Sequence, residues 1–278
     1  MKDITVLSSA CGAFFMPGFF RCLKNNHERN IRIVGCDMSS DPVMKLFVVE
    51  YYQVPAYTDP NYVDVLLDIC KKEKVDGFFP HISMELPYIL DRKDDFEAIG
   101  VKVAISEKET LATANSKYKL YEHMRQTGLT VPKYFLVNSV ETLRDRIGEL
   151  GYPQRPVCVK MTENSGSRGV RIVRADVDKA HLFMHDKPSS MNVTLDEMCD
   201  ILSQCHPMPE IIAMEFLPGV EYTIDLLADH GKVLYIAGRR NTTSSLSIAQ
   251  SSVVEKKDSA YNLCEDIVRE LKLDGNIG

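Results

Sequence analysis

The apolar positions in the first hundred residues follow two alternating periods, which predict strands and helices in turn. Short runs rich in Val, Ile and Phe predict four strands: ITVLSSA, IRIVGCDM, GFFPHI and VKVAIS. Helical patterns lie between them, as in Tyr62–Lys74, where one face carries Val63, Leu66, Leu67 and Cys70. Because this alternation favours a parallel sheet with helices on both sides, we predict an N-terminal α/β domain.

The pattern changes after the polar segment Ser106–Asn115, where we expect a break between domains. A helix is predicted from Ser116 to Thr127 and closed by Gly128, and a second helix covers Val140–Leu150. The strand VPKYFLV lies between these helices. The strands PVCVKM and VRIV predict an antiparallel pair joined by a glycine-rich turn.

The last hundred residues predict further strands and two helices. Thr194 and Glu197 form a capping-box pattern ahead of a helix, and the strands EIIAMEF, EYTIDLL and VLYIAGR follow. His230-Gly231 predicts a hairpin turn, and a final helix is expected over Ala260–Leu271. The segment NTTSSLSIAQSS is polar, and we expect a mobile loop that shapes a substrate pocket. LDGNIG is typical of the start of another strand.

These patterns predict two domains, an α/β domain over 1–110 and an α+β domain over 111–278. The formal net charge of −6 and the lack of a basic tract disfavour nucleic-acid binding. No apolar run is long enough to span a membrane, and the N-terminus reads as a strand rather than a signal peptide. Eight scattered cysteines without a C-x-x-C pair indicate free thiols in a reducing, cytoplasmic compartment.

The loop Glu163–Gly169 is the first candidate for chemistry. Its glycines and serines allow backbone N–H groups to converge on an anion, although an ordinary hairpin loop has the same composition. Lys160 ends the strand just before this loop, so its ammonium can lie beside whatever the loop covers. A lysine in that position is often only surface-exposed. Lysine, strand and loop together favour phosphate binding.

Lys117 opens the helix SKYKLYEHMRQTG, where its charge opposes the helix dipole. This cost suggests a nearby ligand anion, and a solvated lysine pointing away is the alternative. Lys119 lies two positions further on and is expected to face elsewhere.

Two carboxylates and two arginines complete the set of candidates. Glu215 and Glu221 flank the Pro218-Gly219 turn, where free backbone groups can read a base edge and a carboxylate can hold ribose hydroxyls. Solvent-facing strand residues are the alternative. Arg239 and Arg240 are candidate catalytic residues for a phosphoryl group or a carboxylate substrate. Adjacent strand residues point in opposite directions, so at most one of the arginines faces the site.

Other features are weaker. His181 and His185 have i,i+4 spacing without a third metal ligand, so we expect surface histidines. Gly12, Gly18 and Asp37 do not have dinucleotide-fingerprint spacing, which makes an NAD protein a distant alternative. His81 and Glu85 follow a predicted parallel strand, where a substrate role and an ordinary loop are both open.

The runs SKYKLYEHMRQTGLTVP, PVCVKMTENSGSRGV and MEFLPGVEYTIDLL, in this order, resemble the ATP-grasp superfamily. The ATP-binding domain of the carbamoyl-phosphate synthase large subunit is the most similar, and the opening αβ segment resembles the pre-ATP-grasp domain of that family. The resemblance also implies a small subdomain at about 115–185 within the ATP-grasp domain. The resemblance implies that Lys117 and Lys160 contact ATP phosphates. The remaining implied contacts are the lid residues Ser165, Gly166, Ser167 and Gly169 over the β- and γ-phosphates, Glu215, Phe216 and Leu217 at adenine, and Glu221 at ribose.

By the same resemblance the chemistry is ATP-dependent and Mg²⁺-assisted ligation, in which a carboxylate becomes an acyl phosphate that an amine or another nucleophile attacks. Small-molecule carboxylate and amine substrates are implied, and a homo-oligomer or a partner subunit is left open. The chain departs from the family because no acidic residue with a Glu-x-Asn pattern follows Arg240. Asp225 alternates with apolar residues in a predicted strand, so we interpret it as a polar residue on one face of that strand and assign no metal ligand. We therefore expect a truncated or split version, with a non-catalytic nucleotide-binding module as the alternative.

Overall fold

The computed structural model describes residues 1–13, 15–164, 166–185, 191–245 and 248–278. The chain forms two compact units. Unit 1 comprises Met1–Lys108 and Asp274–Asn276, and unit 2 comprises Glu109–Leu273 and Ile277–Gly278.

Unit 1 contains a parallel sheet of five strands in the order β3-β2-β1-β4-β5. The strands are β1 Ile4–Ser8, β2 Ile31–Asp37, β3 Glu50–Gln53, β4 Gly77–Phe79 and β5 Lys102–Val103. The helices are α1 Met16–Lys24, α2 Tyr62–Glu73, α3 Leu86–Leu90 and α4 Lys93–Ala98, and a 3-10 turn covers Val43–Phe47. This is the parallel α/β arrangement that the sequence predicts.

Helices cover both faces of the sheet in unit 1, and alternate strand residues point toward one face or the other. Leu7 and Val34 are paired across β1 and β2 and pack in a cluster with Leu66 of α2. Their neighbours Val6 and Ile33 pack with α1 on the other face. Burial on both faces is the environment that a parallel sheet requires.

The loop after β4 is organised around one buried carboxylate. Glu85 is 1% exposed, and its Oε1 accepts hydrogen bonds from the Ser9 hydroxyl at 2.5 Å and from the backbone N–H groups of His81 and Ile82 at 2.9 and 3.0 Å. The Tyr62 hydroxyl donates to Oε2. Four donors therefore satisfy Glu85 internally, which supports the ordinary-loop alternative for this residue.

Unit 2 begins with two helices and a mixed sheet of five strands in the order β6-β10-β7-β8-β9. Its strands are β6 Tyr134–Val137, β7 Val157–Met161, β8 Arg171–Val173, β9 Asn192–Val193 and β10 Ile211–Glu215. The helices are α5 Lys108–Ala114, α6 Lys117–Gln126, α7 Val140–Arg146, α8 Lys179–His185 and α9 Leu195–Ser203, and a 3-10 turn covers Ile147–Leu150. The predicted antiparallel pair is confirmed, because Val157 pairs with Val173 and Val159 with Arg171.

One face of this sheet packs against α7 and α9. Val157 and Val159 of β7 lie in a buried cluster with Leu143 of α7 and Leu202 of α9. The predicted capping box begins α9, with Thr194 and Glu197 exchanging hydrogen bonds. The residues that alternate with this cluster, among them Cys158 and Lys160, therefore point to the opposite face of the sheet.

A third sheet has the order β13-β12-β11-β14, with β11 Tyr222–Asp229, β12 Lys232–Ser245, β13 Ile248–Val254 and β14 Gly275–Ile277. Helix α10 Asp258–Leu271 covers one face, where Leu226 packs with Val268 and Leu271. The predicted hairpin is confirmed, because Asp229 pairs with Lys232 around the left-handed residues His230 and Gly231.

The structure corrects the expectation of a mobile loop over NTTSSLSIAQSS. Its described residues lie in β12 and β13, which pair with each other from Arg239↔Val254 to Ser245↔Ile248. Polar side chains bond β12 to both of its neighbours, because Asn241 donates to Thr223 Oγ1 of β11 at 3.1 Å and accepts from Ser252 Oγ of β13 at 2.8 Å. The polar composition therefore reflects cross-strand hydrogen bonds rather than mobility.

Two further differences concern short elements. The edge strand β3 is absent from the prediction, and the segment expected as a polar break contains α5.

All eight cysteines are free thiols, of which five are buried. Within the described residues, no helix is long and apolar enough to cross a membrane.

Candidate functional site

The fold of unit 2 brings Lys117 and Lys160 to the same face of the five-stranded sheet. Lys160 points away from the α7 and α9 cluster, on the face that also carries Cys158 and its partner Met214. Helix α6 packs over this face, where the Tyr121 hydroxyl lies 3.9 Å from Met214 Sδ. Because Lys117 is the first residue of α6, the helix places its side chain beside β7.

Backbone and side-chain hydrogen bonds fix Lys117 at the end of β7. Ser116 is fully buried as the N-cap of α6, and the Lys117 N–H donates to the Thr162 carbonyl at 2.9 Å. Lys117 Nζ donates to the Asn164 carbonyl at 3.0 Å. Burial, and next the charge of Lys160, lowers the pKa of Lys117, while Glu163 acts in the opposite direction. The positive charge of Lys160 therefore disfavours the charged form of Lys117.

Lys160 has no carboxylate within ion-pair distance among the described residues. It pairs through its backbone with Ile212 of β10, in the interior of the sheet. An unpaired lysine next to a second, partly buried lysine is an arrangement that an anion stabilises.

The glycine-rich loop joins β7 to β8 and has an unusual backbone. Gly166, Ser167 and Gly169 have positive φ angles of 64°, 61° and 71°. At Gly169 a Cβ atom would lie 2.4 Å from Met161 Cγ, so this position requires glycine. Consecutive left-handed residues can direct backbone N–H groups to one side, as phosphate-binding loops do. Ser165, also predicted to bind phosphate, lies outside the described residues.

Lys119 is closer to this site than the sequence interpretation expects. Its Nζ lies 3.8 Å from Glu163 Oε1, the carboxylate at the start of the loop. The position of Lys119 on α6, taken alone, predicts that its side chain faces elsewhere. The structure differs because the loop folds across the first turn of the helix. Three lysines and one glutamate therefore surround the beginning of the loop.

Glu215 ends β10 and is bonded to the start of the neighbouring edge strand. Its N–H donates to the Lys133 carbonyl at 2.9 Å, and its Oε1 accepts from the Lys133 N–H at 2.7 Å. The next residues leave the sheet, with Phe216 36% exposed and Leu217 60% exposed. The Glu215 side chain is thus used internally, whereas Phe216 and Leu217 are accessible to a ligand.

The third sheet separates the two candidate arginines. Thr223 pairs with Arg239 and Tyr222 with Arg240, so Arg239 shares a face with the odd-numbered residues of β11, and Arg240 lies on the opposite face. Glu221 directly precedes β11, and its Oε2 accepts from Ser244 Oγ at 3.4 Å.

Both arginines have carboxylate partners. Arg239 is paired with Asp225, while Arg240 Nε donates to Glu255 Oε2 at 2.9 Å. The Tyr222 hydroxyl donates to the other oxygen of Glu255 at 2.6 Å. Arg240 is therefore part of a contact between the sheet and the segment before α10, and Arg239 is paired on the other face.

A cleft of about 630 Å³ runs along the open edge of β6, between this strand and α6. Its polar groups are mutually bonded, since Glu122 accepts from the Tyr134 hydroxyl and pairs with Arg125, each at 2.6 Å. No motif points to this cleft, because it arises from the approach of a helix to a strand edge.

The site fits a polyphosphate better than a protein-bound metal ion. Lys117, Lys119 and Lys160 supply cations, and the left-handed loop supplies backbone donors. Among the described residues, no group of three carboxylate, histidine or cysteine ligands lies at these lysines. The residues present therefore suit an anion, and a metal would arrive with that anion.

The sequence and the structure of the chain are similar to those of known proteins. A family model described as "PylC-like, N-terminal domain" matches residues 19–104, and one described as "ATP-grasp in the biosynthetic pathway with Ter operon" matches residues 207–278. The carbamoyl phosphate synthase large chain of Bifidobacterium animalis subsp. lactis is 27% identical over 186 residues, 66% of this chain and 15% of that protein.

Solved structures show the same fold. The N5-carboxyaminoimidazole ribonucleotide synthetase PurK in its ADP complex aligns with a TM-score of 0.67 and 17% identity over 99% of this chain and 64% of that chain. An L-amino acid ligase from Bacillus licheniformis aligns with a TM-score of 0.61 and 17% identity, covering 98% of this chain and 62% of that chain. The predicted resemblance to ATP-grasp proteins and the predicted fold class are confirmed. The chain spans 15% of the carbamoyl phosphate synthase and 64% of the PurK chain.

Proposed function

We propose that unit 2 binds ATP, with the phosphates at Lys117, Lys160 and the glycine-rich loop. The observation that carries this proposal is the pair of neighbouring lysines, of which Lys160 has no carboxylate partner among the described residues. Two cations that repel each other destabilise the free site, and a polyphosphate placed between them removes that cost. The left-handed loop residues Gly166, Ser167 and Gly169 would cover the β- and γ-phosphates.

The nucleoside end would lie where β10 leaves the sheet. Phe216 and Leu217 are accessible there and would line the adenine, with their backbone groups reading its edge. The Glu215 carboxylate, bonded to the Lys133 N–H, would hold this segment in place. Glu221 would accept hydrogen bonds from the ribose hydroxyls, releasing its 3.4 Å contact with Ser244.

The reaction that this arrangement supports is activation of a carboxylate for ligation to an amine. A carboxylate oxygen of the substrate would attack the γ-phosphorus, the bond to the β–γ bridging oxygen would break, and ADP would leave. The amine nitrogen would then attack the acyl carbon of the acyl phosphate and expel phosphate, which would leave as hydrogen phosphate with the proton that the amine loses. Lys117 and Lys160 would stabilise the charge on the phosphoryl oxygens, and Mg²⁺ would enter as part of the nucleotide complex.

The names of similar proteins support this reaction class, since they include an L-amino acid ligase and a carbamoyl phosphate synthase. The fold does not fix the carboxylate or the amine. Arg239 is the better candidate for contacting a carboxylate substrate, because Arg240 is bonded to Glu255 on the opposite face. Arg239 would have to exchange Asp225 for that substrate.

A second candidate is a nucleotide-binding module without turnover. It is favoured by the carboxylate partners of both arginines and by the absence of a metal-ligand group at the lysines among the described residues. The two candidates differ in one measurement, the release of ADP from ATP in the presence of pooled amino acids and bicarbonate. Release that depends on Lys160 supports the ligase, and binding without release supports the module.

Binding itself is tested by isothermal titration of the chain with adenylyl imidodiphosphate and Mg²⁺. We expect Lys160→Ala and Lys117→Ala each to weaken binding by about 10- to 100-fold, the usual value of a charge-assisted hydrogen bond to a phosphate. Lys232→Ala, at the exposed start of β12, is the matched control and should bind as the parent does. Parent-like binding by both lysine variants would contradict the assigned site.

A further inference from the structure

Glu163 is a negative charge in a cluster that otherwise consists of cations. Of Lys117, Lys119 and Lys160, only Lys119 has a carboxylate within 4.0 Å among the described residues, and that carboxylate is Glu163 at 3.8 Å. The Glu163 charge also reaches Lys117, whose pKa it raises against the larger effects of burial and of Lys160. In the free protein Glu163 therefore offsets part of the repulsion among the lysines.

The backbone of Glu163 is fixed on both sides, so its carboxylate stays near the lysines. Thr162 is 3% exposed, and its N–H and hydroxyl both donate to the Glu210 carbonyl, at 3.0 and 3.2 Å. Its carbonyl accepts from the Lys117 N–H, and the carbonyl of Asn164 accepts from Lys117 Nζ. Rotation of the Glu163 side chain changes its distance from a bound phosphate but cannot remove its charge from the site.

A carboxylate that stabilises the free site opposes a bound polyphosphate. The repulsion between them grows in proportion to the charge of the ligand. Free ATP carries about two more negative charges than its complex with Mg²⁺, a divalent cation that binds the phosphate oxygens. The repulsion from Glu163 therefore weakens the binding of free ATP more than it weakens the binding of the magnesium complex.

We propose that Glu163 sets the preference of this site for the magnesium complex of a nucleoside triphosphate over the free triphosphate. This inference rests on the proposed ATP site and assigns to it a specificity-determining residue. The Glu163 carboxylate would repel the free triphosphate more strongly than the magnesium complex. The protein therefore needs no metal ligand of its own at the lysines to discriminate between the two forms. The side chains of Lys119 and Glu163 are 56% and 65% exposed, so solvent and salt screen the effect.

The test is isothermal titration with adenylyl imidodiphosphate, once with excess Mg²⁺ and once with EDTA, for the parent and Glu163→Gln. We expect the variant to bind the free analogue about tenfold tighter and the magnesium complex about threefold tighter, from Coulomb repulsion across a screened surface. The preference for the magnesium complex then falls by about threefold. Both effects should shrink at high salt.

The matched control is Glu265→Gln, which makes the same charge change on the exposed side of α10 in the same unit. It should bind both forms as the parent does. Equal tightening of both forms, no change, or weaker binding of the magnesium complex by Glu163→Gln would overturn the inference, the last because Glu163 would then hold the metal. Lack of binding by the parent in both conditions would instead contradict the proposed ATP site.

Discussion

The two units treat their charged groups in opposite ways. In unit 1 the buried Glu85 accepts hydrogen bonds from two hydroxyls and two backbone N–H groups, so its charge is fully satisfied by the protein. In unit 2 three lysines gather around the glycine-rich loop with one exposed carboxylate, Glu163. A satisfied charge stabilises a fold, whereas an excess of one sign at a loop destabilises it until a ligand binds. The contrast is consistent with a structural role for the first cluster and with the proposed phosphate-binding role for the second.

The largest effect that follows from this comparison is on unit 1. Glu85→Ala leaves the Ser9 and Tyr62 hydroxyls and two backbone N–H groups without their acceptor. We expect it to lower the free energy of unfolding of unit 1 by about 3–5 kcal/mol. Urea denaturation followed by hydrogen exchange at β1 and β4 measures this loss.

Glu97→Ala is the control for that measurement, because Glu97 is exposed on α4 and has no side-chain partner among the described residues. A loss below about 1 kcal/mol in Glu85→Ala would show that the carboxylate is not needed by its donors, contrary to the structural role.

A smaller effect is expected from His81, which lies next to the same cluster. Burial lowers the pKa of His81 from 6.5 to about 4, and its ring packs 4.7 Å from that of Phe19. The unfolded chain therefore binds a proton more readily, so stability is full above pH 6.5 and is lost as the pH falls toward 4. Between about pH 7 and pH 5 the loss amounts to about 2 kcal/mol.

Substitution separates this effect from other titrations. His81→Gln should flatten the dependence of the unfolding free energy on pH in that window, while His181→Gln, on the exposed helix α8, should leave it unchanged. An identical slope in the parent and in His81→Gln would refute the assignment.

The sequence predicts the features that depend on neighbouring residues, and it does not predict those that depend on contacts between distant segments. The strands, the hairpin at His230-Gly231 and the capping box at Thr194 follow from local patterns, and the structure confirms them. Lys160 before a glycine-rich loop and Lys117 at a helix start are also local signals. Their meeting on one face of the sheet depends on the parity of β7 and on the packing of α6.

The remaining features depend on contacts between distant segments. The sequence does not reveal the hydrogen-bond cluster around Glu85, because two of its donors, Ser9 and Tyr62, lie 76 and 23 residues away along the chain. Lys119 is misjudged because helical periodicity ignores the loop that folds back over the helix. The polar strands β12 and β13 are mistaken for a mobile loop, since their cross-strand hydrogen bonds have no period-2 apolar signature.

The smallest predicted effect concerns the pH dependence of nucleotide binding. The pKa of Lys117 is lowered below 10.5 in the free protein by burial and by Lys160, and a bound phosphate would raise it again. Binding of adenylyl imidodiphosphate should therefore take up protons and weaken by less than about tenfold as the pH rises from neutral toward 10.5. Titrations in buffers of different ionisation enthalpy measure the uptake, and binding that strengthens with pH would contradict the prediction.

The proposed ATP site in unit 2 is tested most directly by hydrogen exchange of the whole chain with and without adenylyl imidodiphosphate and Mg²⁺. We expect slower exchange in the first turn of α6, in the end of β7 with the glycine-rich loop, and in the segment that follows Glu215. We expect no change in the Glu85 cluster of unit 1. Protection confined to the loops after β1 and β4, with none at Lys117 or the glycine-rich loop, would show that the nucleotide binds elsewhere and would contradict the proposed ATP site.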